Sequence, residues 1–326
     1  MVSKFLKTGL ATAVAVSLSF SFADAKRLGA ELWGASGDQD AKYMALTKKI
    51  NELGFVVSDP HPRINDAYKH KYGSTTLDNL GFFSITNDKA MRELLIAHPD
   101  LGAFSPLNLH IYKVTGQDTT WVGHIRPEVM ADMAGLHDEK LRDQFTSLFP
   151  ALDKMTINQM GATKVNNIYF DTLPEKPLMK FELEIDLAEY DDDMDYFVES
   201  FQEMYEEAFE EAGYLIAGYK NFKEVYEYMD GSPEFPFEAY WTYSLCHFPF
   251  SNAIFNTTPE AGLFAPCSVY MYVKEGENKL HIGMPRLENW INVTGVSNEE
   301  HIKMIRDLDA EITNILVEEL GFTEVE

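Results

Sequence analysis

The sequence predicts an α+β fold built from two tandem copies of a β-α-β(4)-α domain, each an antiparallel sheet with helices packed on one face. Three observations predict it. The stretch from Phe264 to Glu288 repeats the stretch from Phe104 to Glu128 without a gap, pairing Phe264 with Phe104, Pro266 with Pro106, Tyr272 with Tyr112, Gly276 with Gly116, Gly283 with Gly123 and Arg286 with Arg126. Both stretches alternate apolar and polar residues around a glycine turn, which is the pattern of a hairpin. A glycine followed by an aromatic ends the first helix of each copy, Gly54-Phe55 and Gly213-Tyr214, and recurs at Gly321-Phe322.

Taken in order, residues 1–25 read as a secretory signal peptide. Lys4 and Lys7 precede an uncharged apolar run, and Ala23-Asp24-Ala25 is a small-residue cleavage site. The expectation is export to the periplasm after cleavage behind Ala25, with no later segment apolar enough to insert in a membrane. The copies are expected at 26–160 and 161–326.

A first strand over Arg27 to Ser36 leads to a helix from Asp40 to Leu53, with Tyr43, Leu46 and Ile50 at helical spacing. Phe55 to Ser58 is strand-like. Asp59 to Asp78 holds Pro60, Pro62 and Gly73 and reads as an irregular connection, leaving His61 and His70 facing solvent. Leu80 to Thr86 is a strand, followed by a short helix capped by Asn87 or Asp88. After the hairpin, a helix spans Asp138 to Leu152, and Pro150 ends or kinks it.

Val165 to Phe170 reads as a connecting strand. Met179 to Leu187 opens the second copy, and Asp191, Asp192 and Asp193 cap a helix running to Ala212. Met194, Phe197, Phe201, Tyr205 and Phe209 form its inner stripe, so the dense carboxylates between them are a solvated face and lack the turn of a calcium loop. Tyr240 to Cys246 is the central strand. Ser297-Asn298-Glu299-Glu300 reads as a capping box for the last helix.

The chain has 52 acidic and 27 basic residues among 326, a formal net charge of −25. That balance opposes binding to nucleic acid or an anionic membrane through a basic patch. Two cysteines, Cys246 and Cys267, make no disulfide framework, and the first copy carries Thr86 and Leu107 in their places.

The order of elements resembles the bacterial family called domain of unknown function 302. So do the Gly213-Tyr214 closure, Ala265-Pro266-Cys267-Ser268-Val269, Tyr272 and Gly276, and Gly283 followed by Pro285. The first copy departs from the pattern, with Leu107 for the cysteine and Ile125 for the proline. The resemblance implies a fold of the TATA-binding-protein-like class and carries no established activity, cofactor or DNA binding with it.

Strand alternation sorts each sheet into two faces. Cys267, Val269, Met271, Leu280 and Ile282, with Leu107, Leu109, Ile111 and Val122 in the first copy, are expected against the helices. The opposite faces carry Ser244, Cys246, Tyr270, Tyr272 and His281, and in the first copy His110, Tyr112 and Trp121. Aromatic bodies with polar tips suit either an interface between copies or chains, or a small-molecule pocket.

The leading expectation is a non-enzymatic exported protein that binds a small ligand or a protein partner through these faces, with sheet-to-sheet packing of the copies or a homodimer as the alternative use of them. A second reading is a thiol- or metal-dependent redox protein handling copper or sulfur through Cys246, His247 and Cys267. Alternation puts the two thiols on opposite faces and opposes a shared site. Arg126 and Arg286 are expected to pair with Glu128 and Glu288. No nucleophile elbow, phosphate loop or haem motif is present, and no motif indicates a cofactor.

Overall fold

The computed structural model describes residues 26–229 and 235–325. The expected signal peptide and its cleavage site lie outside the described residues. The first sheet holds β1 (Arg27–Ser36), β2 (Val56–His61), β3 (Leu77–Thr86), β4 (Leu107–Val114), β5 (Thr119–Ile125) and β6 (Lys164–Phe170) in the order β2-β3-β4-β5-β1-β6. The second holds β7 (Leu178–Glu184), β8 (Tyr214–Asn221), β9 (Phe237–His247), β10 (Cys267–Lys274), β11 (Lys279–Pro285) and β12 (Thr323–Glu324) in the order β8-β9-β10-β11-β7-β12. Every pairing is antiparallel, and the two orders are the same topology.

The fold class is as the repeat predicts, with one correction to the boundary. β6 pairs along β1, from Arg27 opposite Phe170 to Gly34 opposite Lys164, so residues expected in the second copy complete the first sheet. β12 plays the same part on β7. Each copy therefore closes with a sixth strand.

Helices cover one face of each sheet. In the first copy, helix Asp40–Lys49 packs on helix Phe149–Met160, burying Tyr43, Leu46, Leu152 and Met160. The expected long helix over Asp138 to Leu152 is two helices. Glu139–Thr146 ends, and Pro150 sits in the first turn of the next, where its missing N–H costs nothing. In the second copy, helix Met194–Glu211 buries Phe197, Phe201, Tyr205 and Phe209, each four residues from the last. Each such side chain contributes roughly 1.5–3 kcal/mol of transfer free energy. Its cap is Asp193, whose carboxylate accepts from the Asp195 and Tyr196 N–H groups. The last helix is capped by Asn298 rather than Ser297.

The connection expected over Asp59 to Asp78 contains a helix, Ile64–Tyr72, closed by Gly73 at φ 81°. Its buried Tyr68 reaches the second copy, donating to Ser251 at 2.7 Å.

The other face of each sheet is covered by the other copy, mainly through its crossing segment. A 3₁₀ segment before each hairpin crosses to the other copy: Pro99–Phe104 lies on β10, and Pro259–Phe264 lies on β4. The cross-contacts repeat with approximate two-fold symmetry. Tyr270 donates to Asp100 at 2.8 Å, and Tyr112 to Glu260 at 2.8 Å. Asn108 donates to the Pro266 carbonyl at 2.9 Å, and Ser268 to the Pro106 carbonyl at 3.4 Å. A partly buried ion pair, Lys220 to Asp88 at 2.7 Å, joins β8 to the start of helix Asp88–Ala97.

Candidate ligand site at the seam between the copies

The predicted aromatic and polar faces are present, and three of their side chains, His110, Tyr112 and Tyr270, bond to the other copy. His110 and Tyr270 are 0% and 1% exposed, and Ser244, Tyr112 and Tyr272 are also buried. Both His110 ring nitrogens lie near carbonyls, Nδ1 3.2 Å from Gly81 and Nε2 2.8 Å from Pro259 of the second copy, and the neutral ring donates to one of them. Burial holds its pKa down to about 4. Tyr240, Tyr270 and Tyr272 have raised pKa values because burial disfavours the phenolate. They are neutral hydrogen-bonding groups at neutral pH. These side chains, expected to serve either an interface between copies or a small-molecule pocket, lie buried within the chain.

His281 and Trp121 take other roles. His281 stacks on Tyr272 with centroids 4.6 Å apart and reaches Glu182 at 3.3 Å and Glu277 at 3.5 Å. Trp121 is half-buried and lies over Gly34, where a Cβ would strike its ring. At the hairpin exits, Arg126 pairs with Glu128 at 3.2 Å as expected. Arg286 departs from the pattern and pairs with Glu324 of β12, while Glu288 meets Arg306.

Where the two sheets part, a cavity of about 300 Å³ opens between the copies. Its walls are His61, Ile64 and Phe82 from the first copy, and Leu215, Ile216, Ala217, Cys246, Phe248, Phe255, Ala265 and Pro266 from the second. Local sequence creates this opening. The edge strands β2 and β8 lie next to each other, and each carries a bulge at the corresponding point, between Val57 and Asp59 and between Ile216 and Gly218. A bulge bends an edge strand and breaks its ladder, so the two edges neither pair nor close. Asp59 sits against Gly218 so closely that a Cβ there would overlap its carboxylate. Burial raises the Asp59 pKa, and His61 and Lys220 hold it down in part.

The cavity is apolar apart from two groups. One is His61, whose Nε2 is buried without a hydrogen-bond partner. The structure thus corrects the solvent-facing assignment of this residue: it ends β2, opposite Phe82. The other is Cys246, whose Sγ lies 3.9 Å from Ser251 Oγ, itself bonded to Tyr68 of the first copy.

Cys246, Ala265 and Pro266 also line a second, smaller cavity of about 30 Å³ behind the end of β9, with Cys267, His247, Met284, Trp290 and Ile312. The β9–β10 register puts Cys267 opposite Leu245, so the thiols do leave opposite faces of the sheet. They nevertheless meet one cavity, because the strand ends at His247 and the sheet no longer separates them there. Both cysteines are free thiols. Burial pushes the Cys246 thiol up to about 11 and raises Cys267 further, with Cys246 adding to the second shift. Neither is a thiolate near neutral pH.

His247 caps helix Phe248–Phe255 through Nδ1 at 3.4 Å from the Phe250 N–H, and burial lowers its pKa. The expected metal pair of Cys246 and His247 gains no third ligand: among the described residues no three His, Cys, Asp or Glu side chains converge to hold a metal ion.

Comparison with known proteins agrees with the two-copy architecture. The family model described as "Domain of unknown function DUF302" matches residues 38–155 and 193–318, well over half of the chain. The chain belongs to the DUF302 family. Its two matched regions fall on the two sheets, so this member carries the family domain twice. A solved structure titled "Crystal structure of uncharacterized conserved protein DUF302 from Bacillus stearothermophilus" is similar at 16% identity over 41% of this chain and 99% of that one, with a TM-score of 0.36. No curated protein matches the chain. Within this DUF302 tandem the copies have diverged at the seam, where Thr86 and Leu107 of the first correspond to Cys246 and Cys267 of the second.

Proposed function

We propose that this DUF302 tandem is an exported, non-enzymatic binding protein whose ligand is a small, mostly apolar molecule held in the seam cavity. The observation that carries the reading is a cavity of about 300 Å³ with apolar walls and a buried, unpartnered His61 Nε2. Ligand sites combine an apolar enclosure with a few polar groups that fix orientation. An orphaned buried nitrogen costs free energy until something pairs with it. The periplasmic address rests on the sequence of residues 1–25 alone.

The test is native mass spectrometry of the protein as purified from its own host, with and without Ala217→Trp. Ala217 lines the cavity at the bulge of β8, so the larger side chain fills the space. The proposal expects a bound small molecule that the variant lacks. The same adduct on both proteins, with equal occupancy, contradicts it.

A second reading treats the paired thiols as a redox or soft-metal site. It is favoured by the meeting of Cys246 and Cys267 on one cavity, and opposed by their raised pKa values. Copper stoichiometry and a free-thiol count on purified protein decide it. Two free thiols without metal end this reading and leave the first untouched.

A further inference from the structure

The seam cavity lies beside an unusual piece of surface. The chain carries nearly twice as many acidic as basic residues, yet the last turn of helix Ile64–Tyr72 is Lys69, His70 and Lys71. A helix C-terminus favours basic residues, which accounts for their being there. It does not account for where Lys71 lies. Its Nζ is 5.3 Å from the ring centroid of Phe248, a wall of the cavity, and 5.8 Å from that of Tyr72. Among the described residues it has no carboxylate within ion-pair distance. Lys71 is exposed and meets the cavity only through the Phe248 ring, while the polar groups on the cavity wall itself are the unpartnered His61 Nε2 and the neutral Cys246 thiol.

We infer that the ligand of the seam cavity is an apolar monoanion, a molecule of the fatty-acid or aryl-acid class, with its body against Phe82, Leu215 and Phe248 and its carboxylate at the Lys71 rim. This inference rests on the seam-cavity reading above and adds the charge of the ligand to it. A hydrocarbon body gains by leaving water in proportion to the apolar area it buries, whatever its head group. The head group decides selectivity. An ammonium at the edge of an apolar cavity attracts a carboxylate more strongly than one in open water, because part of its surroundings has low dielectric constant. The excess of negative charge elsewhere repels an anion from the rest of the surface, which sharpens the contrast between Lys71 and its neighbours.

The experiment titrates the mature chain, loaded with the neutral dye N-phenyl-1-naphthylamine, with decanoate and with decan-1-ol. The two have the same body and differ in head group. Decanoate is expected to displace the dye at about tenfold lower concentration than decan-1-ol, and rising salt is expected to narrow the gap. Lys71→Gln, a surface change, is expected to remove the gap while leaving decan-1-ol displacement within about twofold. Equal or better displacement by decan-1-ol overturns the inference, as does a preference for decanoate that survives Lys71→Gln. If the dye binds and neither compound displaces it, the monoanion assignment fails while the cavity stands. If the dye does not bind at all, the seam-cavity reading fails, and the assignment with it.

Discussion

His110 of the first copy and Pro259 of the second are joined across the packed sheet faces, Nε2 to carbonyl oxygen at 2.8 Å. Burial disfavours the imidazolium and lowers the His110 pKa to about 4, against the pull of the two carbonyls, which favour the protonated ring. The folded value lies below the unfolded value near 6.5, so the folded state binds its proton less readily. The stability this represents is fully present above pH 6.5 and is lost as pH falls from there toward 4. The loss is about 3 kcal/mol by the linkage relation. Urea midpoints at pH 7 and pH 4.5 are expected to differ more for the wild type than for His110→Gln, which carries no titrating proton.

Gly102 and Gly262 occupy matching places in the two crossing segments. A Cβ on Gly102 would overlap Tyr240 Oη, and one on Gly262 would overlap the His110 ring. Gly102→Ala and Gly262→Ala are each expected to destabilise the chain by about 1–3 kcal/mol through overpacking of the shared face. Thermal unfolding checks this. An alanine at Gly116, a turn position with open space around it, tests whether the effect is specific to the interface. Its cost there comes from the positive φ alone.

Cys246 lines the seam cavity as well as the inner one, whereas Cys267 lines only the inner one. A thiol reagent is therefore expected to label Cys246 first. Because burial raises its pKa to about 11, the rate at pH 7 should trail that of a free cysteine peptide by about a hundredfold and climb roughly tenfold per pH unit. Peptide mapping after partial labelling reads the order. Labelling of Cys267 ahead of Cys246 contradicts the cavity arrangement.

Gly218→Ala places a methyl group against the Asp59 carboxylate where β2 and β8 approach. The expected result is a widened seam: dye binding weakened by about tenfold, and a loss of stability on the order of 1–3 kcal/mol. Both follow from fluorescence titration and denaturant unfolding of one variant.

The repeated hairpin made the two-copy architecture legible, since Phe104 to Glu128 and Phe264 to Glu288 carry the same turn and the same alternation. Alternation also sorted the faces correctly, including the opposite exits of Cys246 and Cys267. The helix Ile64–Tyr72 is not legible in the sequence, because Pro62 and Gly73 read as loop residues. They are instead the punctuation on either side of a helix, with Gly73 in the left-handed conformation that ends it. The sequence marks Val165 to Phe170 only as a connecting strand, because strand pairing is non-local and nothing in Lys164 to Phe170 names β1 as its partner. The seam site was hidden for the same reason. His61 and Lys71 acquire meaning only when Phe248 and Ala217, far away in the chain, are brought beside them.

On the proposed reading each sheet face is buried by the crossing segment of the other copy, and the gap at their edge receives a ligand. Titration of the chain with N-phenyl-1-naphthylamine, comparing wild type with Ala217→Trp and with Tyr272→Phe, separates the gap from the buried faces. The account predicts one saturable site in the wild type, retained in Tyr272→Phe and lost in Ala217→Trp. Dye binding that survives Ala217→Trp and disappears in Tyr272→Phe would contradict it.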